Sequence, residues 1–234
     1  MKRRWLRWVI GAVVVVVLAM TLGPFVYIHF IEPDPPPRLQ VTAGTTPTTG
    51  ASSEATSDSR APLAGTWTVG SGSQAGYRVN EVLFGQDNTA VGRTAAVTGS
   101  MTIRGTTVTA ASFSVDLTKV TSDRQQRDNQ FQGRIMDTTD FPTATFKLTK
   151  PVALGTVPAD GKVISVPATG DLTLHGTTKS VTVALQAKRS GNTIEVSGSV
   201  PITFADYGID NPSFGGISVQ DHGTMEFLVV LNPA

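Results

Sequence analysis

The stretch Asp116–Phe146, DLTKVTSDRQQRDNQFQGRIMDTTDFPTATF, is where helix signals interrupt a chain that otherwise reads as strands. Thr121-Ser122 followed by Gln125 fits a capping box, with Ser122 accepting from an early helical N–H and Gln125 reaching back. Asp123 and Arg127, and likewise Arg124 and Asp128, are spaced four apart, so opposite charges meet on one helical face. Pro142 closes the segment and a β-rich run resumes at Ala144. The expectation is one short helix set into an all-β domain.

Outward from this segment the pattern has period two. Val181, Val183, Leu185 and Ala187 alternate with Thr182, Gln186 and Lys188, and Val200, Ile202 and Phe204 alternate with Ser199 and Thr203. Thr224–Leu231 is apolar on both faces at several positions, which suits a late strand that closes a sheet. Turn signals recur at Gly85–Asn88, Arg104–Thr106, Ala159–Gly161, His175-Gly176 and Ser190–Asn192. The glycine-rich Gly70–Gly76 does not match G-x-G-x-x-G and no apolar helix follows, so it reads as a turn between the first two strands. Strands at this spacing make an antiparallel barrel or sandwich.

The N-terminal part differs in kind. Lys2, Arg3, Arg4 and Arg7 precede Val9–Ile31, a run of 23 residues without Lys, Arg, Asp or Glu. As a helix it would extend roughly 34 Å, enough to cross a bilayer core. The expectation is a basic cytoplasmic segment over 1–8, a transmembrane signal-anchor helix over 9–31 and export of the remainder to the outer side of the cell membrane. A cleaved signal peptide is the competing reading. Glu32–Pro62 is rich in Pro, Thr, Ser, Ala and Gly, so 32–62 reads as a disordered tether with a typical reach of roughly 30 Å. The remaining span, 63–234, is the folded domain.

Composition excludes several classes. Without the four leading basic residues, 15 basic residues face 18 acidic ones, which argues against nucleic-acid binding. Cysteine is absent, so neither a disulfide framework nor a thiol-linked lipid is available. The histidines are His29, His175 and His222, with no ligand-pair spacing, so no metal site and no cofactor are expected. Gly216–Gln220 lacks the second glycine of a nucleophile elbow, and no acid/base pair stands out, so no catalytic residue is assigned.

Three motifs in order resemble the YceI-like family, also called the lipid- or polyisoprenoid-binding family. They are Asp-Leu through Arg127-Asp128 to Phe141-Pro142-Thr143-Ala144-Thr145-Phe146, then Gly170–Val181 as G-x-L-T-x-H-G-x-T-K-x-V, and Asp206-Tyr207-Gly208-Ile209. The likeness covers roughly 63–234. It departs at Asn129-Gln130-Phe131, where the family has His and Leu, and at Met136. The resemblance implies a lipocalin-like antiparallel barrel of about eight strands, wide enough for one elongated ligand, and a binding protein rather than an enzyme. It gives Asp128, His175, Gly176, Lys179, Asp206 and Gly208 structural roles, His175 orienting its loop by hydrogen bonding.

The implied partner is a long-chain isoprenoid, an isoprenoid quinone or another amphiphilic lipid, with the membrane reached through the N-terminal helix and a homodimer through exposed strands. Phe131, Ile135, Met136, Phe141, Phe146, Leu172, Leu174, Phe204 and Phe227 are the candidate lumen residues. Arg124, Arg127 and Arg134 are the head-group candidates, because guanidinium forks suit phosphate oxygens. The same arginines also fit helix-surface ion pairs with Asp123 and Asp128. An adhesion or assembly module with a filled barrel is the alternative from another class, and an isoprenoid-modifying enzyme a third; an apolar cavity continuous to the surface separates the first from the second.

Overall fold

A computed structural model describes residues 8–17, 34–42, 62–83, 85–155 and 161–234. Twelve strands follow one another: β1 (Gly65–Val69), β2 (Gln74–Leu83), β3 (Gln86–Thr94), β4 (Val97–Arg104), β5 (Thr107–Asp116), β6 (Thr143–Leu148), β7 (Val152–Ala153), β8 (Val163–Leu174), β9 (Thr177–Ser190), β10 (Thr193–Thr203), β11 (Ile217–Val219) and β12 (His222–Pro233). Eight of them, in the order β1-β4-β5-β6-β8-β9-β10-β12, close into an antiparallel barrel when β12 pairs back onto β1. The expected eight-strand barrel is what forms, and the late strand does close it.

The closing seam has two tiers. Along one edge of β12, Val69 of β1 faces Leu231 and Gln74 of β2 faces Leu228. β1 and β2 therefore act as one long strand interrupted at Gly70–Ser73. The buried Ser73 hydroxyl fills the interruption, donating to the Gly70 carbonyl at 2.9 Å and accepting from Val230 N–H at 2.9 Å. Beyond the seam, β2 carries β3 on one side and β11 on the other, which deepens the wall at that end of the barrel.

Two apolar clusters line the interior. The lower one holds Trp67, Ile103, Ile194 and Leu231. Trp67 donates Nε1–H to the Leu63 carbonyl at 2.9 Å, and the Arg189 guanidinium lies 5.6 Å from its ring. The upper cluster gathers Leu117, Phe131, Met136, Tyr207 and Ile209 under the β5–β6 connection. That connection carries a 3-10 turn at Leu117–Lys119, helix α2 (Gln125–Gln130) and a π-helical turn at Phe131–Ile135. The label α1 belongs to the helical residues 8–17.

A six-residue helix does not persist alone. Here burial of Phe131, worth about 1.5–3 kcal/mol, pins it to the barrel, where its ring stacks on Tyr77 with centroids 5.0 Å apart. The expected capping box does not form. The N-cap is Arg124, without a side-chain cap bond, and Gln125 donates forward to Asn129 Oδ1 at 3.1 Å. The buried Asp128 carboxylate takes the capping role, accepting from Ser122 N–H at 2.7 Å and Ser122 Oγ–H at 2.6 Å. The Arg124–Asp128 pair is absent for the same reason, because that carboxylate is already satisfied inside the domain.

Two observations bear on the N-terminal region. Among the described residues no helix is long and apolar enough to cross a membrane. Of the run 9–31 only residues up to 17 are described, and these are helical; residues 18–33 lie outside the described ones, and a membrane-spanning helix over 9–31 is not supported. Second, residues 34–42, within the segment read as a tether, lie on the outside of the barrel. Arg78 Nη2–H donates to the Pro36 carbonyl at 2.6 Å, Val41 N–H to Ser197 Oγ at 3.0 Å, and Lys188 Nζ–H to the Thr42 carbonyl at 2.9 Å. Arg93 donates to the Pro37 carbonyl as well. Val41 is the one apolar residue of this strap that is fully buried.

Candidate functional site: the barrel lumen and its rim

Inward positions of the strands leave space within each cluster. A lower cavity of about 170 Å³ is walled by residues such as Met101, Phe113, Phe146, Leu172 and Phe227. An upper cavity of about 310 Å³ is walled by Tyr77, Val79, Phe131, Ile135, Met136, Leu174 and Phe204 among others. Ala75, Val115, Ala144 and Met225 line both. The two cavities therefore abut, with this ring as the neck between them. The exposed members of the upper wall, Gln126, Gln130, Arg134 and Phe214, mark the opening.

Eight of the nine apolar residues singled out from the sequence face this space. Phe146, Leu172 and Phe227 lie in the lower stage, and Phe131, Ile135, Met136, Leu174 and Phe204 in the upper. Phe141 does not. Its ring packs on His175, with centroids 4.6 Å apart, and on the Cα of Gly176, outside the lumen. The reason is local: the turn at Asp137–Phe141 sets the ring against the β8–β9 hairpin before β6 begins. Sequence reading missed Tyr77, Val79 and Glu81, although β2 alternates with period two; the glycines before it and the charges within it hid the pattern.

The polar rim is charge-balanced. Arg127 donates through Nη2 to Glu81 Oε1 at 3.0 Å and through Nη1 to Asp123. Glu81 also accepts from Asn88 Nδ2–H at 2.8 Å. Burial works against the Arg127 charge, but Glu81 and Asp123 outweigh it and hold its pKa above the ordinary value. Arg124 pairs with Asp123 at 3.6 Å. Arg134 bonds to neutral oxygens, Gln130 Oε1 at 3.1 Å and the Pro212 carbonyl at 2.8 Å. Burial pushes the Tyr77 phenol well above its usual range; Asp128, Glu81 and Asp123 add to this and Arg127 opposes it. All three head-group candidates thus stand at the upper cavity, two of them already matched by carboxylates.

The remaining motif residues tie loops together. His175 adopts φ 48° and its Nδ1 lies 3.2 Å from the Tyr207 carbonyl. Lys179 pairs with Asp206 at 2.8 Å, and Gly208, at φ 67°, ends the 3-10 turn Phe204–Tyr207. This clasp holds the β8–β9 turn against the β10–β11 connection and keeps the upper wall closed. His222 pairs with Asp221 on the surface at 2.7 Å, and His29 lies outside the described residues.

The fold and these motifs agree with comparison to known proteins. The family model for the YceI-like domain matches residues 67–231. The chain belongs to the YceI-like family. A UPF0312 protein of Vibrio parahaemolyticus is 39% identical over 79 residues, and one of Vibrio campbellii 38% identical over 79 residues; each match takes in 33% of this chain. The chain spans 38% of the length of these curated relatives. Among solved structures, a polyisoprenoid binding domain from Saccharophagus degradans implicated in plant cell wall breakdown superposes with TM-score 0.58 at 17% identity, covering 72% of this chain and 98% of that one. BcnA of Burkholderia cenocepacia superposes with TM-score 0.50 at 20% identity, covering 66% and 95%. These likenesses establish the barrel of this YceI-like chain as the family fold.

Proposed function

We propose that this YceI-like protein binds one long-chain isoprenoid lipid with its tail along the lumen and a small, uncharged polar head group at the α2 rim. The observation that carries the reading is the two-stage apolar lumen opening beside α2. A filled barrel acting only through its loops would have no use for that space. The fold neighbour described as a polyisoprenoid binding domain supports the same ligand class.

The choice of head group rests on charge. A pyrophosphate would need several cations to receive it, yet Arg127 is already committed to Glu81 and Asp123, and Arg124 to Asp123, which leaves Arg134 alone. Glu81 inside the upper wall would oppose an entering anion. A quinone or alcohol needs only hydrogen bonds, which Gln126, Gln130 and the arginine forks can make. Each methylene leaving water contributes about 0.8 kcal/mol, while one leaving a bilayer contributes little, so the protein holds and hands on lipid rather than merely dissolving it.

The basic residues ahead of the uncharged run Val9–Ile31 support export, so the barrel works outside the cytoplasm. The ligand reading is tested with residues 34–234 and water-soluble prenyl compounds of increasing length, each carrying a quinone, an alcohol or a pyrophosphate. Affinity should rise with tail length until the lumen is full, and at equal length the uncharged heads should bind more tightly. Length-independent binding, or a clear preference for pyrophosphate, would sink it.

A further inference from the structure

Phe214 is the most exposed large apolar side chain of the barrel domain among the described residues, at 74%. Its surroundings give that exposure a purpose. Phe214 lines the upper cavity together with Ile135, Pro212 and Ile217, so an apolar path leads from its ring into the lumen. The Arg134 guanidinium lies 5.9 Å from the centre of the ring, and its own hydrogen bonds go to the neutral oxygens of Gln130 and Pro212. An aromatic ring beside a guanidinium matches a membrane interface, where the ring settles at head-group level and the cation reaches phosphate oxygens.

The N-terminal segment runs beside the residues that precede α2. Asp34, Pro35 and Pro36 border one surface cleft together with Asn88, Thr89 and Val91 of β3 and with Thr121–Asp123, which lead into α2. The strap contacts through Arg78, Arg93 and Ser197 fix that approach. Ile31, the last residue of the uncharged 23-residue run, is three positions from Asp34, at most about 10 Å of chain.

We infer that the rim bearing Phe214 and Arg134 docks on the surface of a phospholipid bilayer, so that the lumen opens directly onto the lipid its ligand comes from. The inference rests on the lumen being the ligand site, and it supplies what that reading lacks. A tail crossing water between bilayer and barrel would have every methylene hydrated on the way, and a mouth pressed to the interface removes that barrier.

The chain has no cysteine, so a single introduced thiol reports one place. The full chain is incubated with phosphatidylcholine vesicles as F214C or as S190C, the latter in the β9–β10 turn at the opposite end of the barrel, each labelled with an environment-sensitive fluorophore. The label at 214 should shift to the blue and be quenched by brominated phosphatidylcholine, while the label at 190 stays in water. A water-exposed label at 214, or equal quenching at both sites, overturns the docking. In parallel, unlabelled wild type and Phe214→Ser are given a monomeric fluorescent prenyl quinone, free in solution or preloaded into vesicles. Phe214→Ser should slow uptake from vesicles about tenfold beyond any change in its affinity for the free probe. Failure of wild type to bind the free probe would remove the lumen reading itself. Normal binding with unchanged vesicle transfer would remove only the docking, and a protein partner seated on Phe214 would show as protection of the 214 label without bromolipid quenching.

Discussion

Ala144→Phe should divide the lumen at its neck. Ala144 is buried on β6 opposite Val115, and both residues wall the two cavities. The change adds six carbon atoms where the ligand tail must pass. Displacing about six methylenes from the lower stage, at about 0.8 kcal/mol each, removes about 5 kcal/mol of tail burial. That corresponds to about 3,000-fold in Kd for a ligand long enough to fill both stages. A ligand short enough for the upper stage should keep its affinity. Overpacking costs about 1–3 kcal/mol in a tight core, but here the ring enters existing space, so the melting temperature should fall by only a few degrees. The assay is fluorescence competition with the prenyl length series, beside thermal unfolding. A folded Ala144→Phe protein that binds the longest ligand like wild type would refute a tail threaded through the neck.

Three other perturbations separate stability from binding. Glu226 is 1% exposed and paired with Arg93 at 2.8 Å and Arg78 at 3.5 Å beneath the strap; Glu226→Leu leaves both cations without their carboxylate and should cost about 3–5 kcal/mol, read as a fall in Tm, with a strap more open to proteolysis. The Tyr77 phenol is raised by burial, so the native state holds its proton above the ordinary value near 10 while the unfolded chain releases it. The associated stability is present below that value and is lost as pH climbs toward the native pKa, so Tyr77→Phe should flatten the alkaline loss of stability; an unchanged profile would contradict it. Gly176 has φ +71°, and a Cβ there would sit 2.6 Å from the Phe141 ring, so Gly176→Ala should cost about 1–3 kcal/mol, measured by denaturant unfolding, without changing lumen length selectivity.

Much of the domain was legible in the sequence because its determinants are local. Period-two alternation on β9 and β10 set which side chains face inward, and the turn glycines marked the hairpins at Gly105, Gly176 and Gly191. The helix was placed correctly, but its capping was not. Whether Ser122 meets Gln125 or Asp128 depends on which carboxylate the barrel buries, and that is a tertiary fact. Phe141 was misplaced for a similar reason, since its sequence neighbours Phe131 and Phe146 face the lumen while a turn directs it outward. The strap was invisible to composition: Pro-rich residues 34–42 look disordered until Arg78, Arg93 and Ser197, from β2, β3 and β10, are brought together to hold them. The charge balance at the rim was hidden for the same cause, because Glu81 lies 46 positions before Arg127.

The most direct test of the central claim is native mass spectrometry of residues 34–234 purified without detergent from a host that makes isoprenoid lipids, followed by solvent extraction and identification of what was bound. The account predicts one long-chain isoprenoid with an uncharged head per protein molecule, displaced by the Ala144→Phe substitution. A well-folded protein that carries no lipid and takes up none of the prenyl series would contradict it.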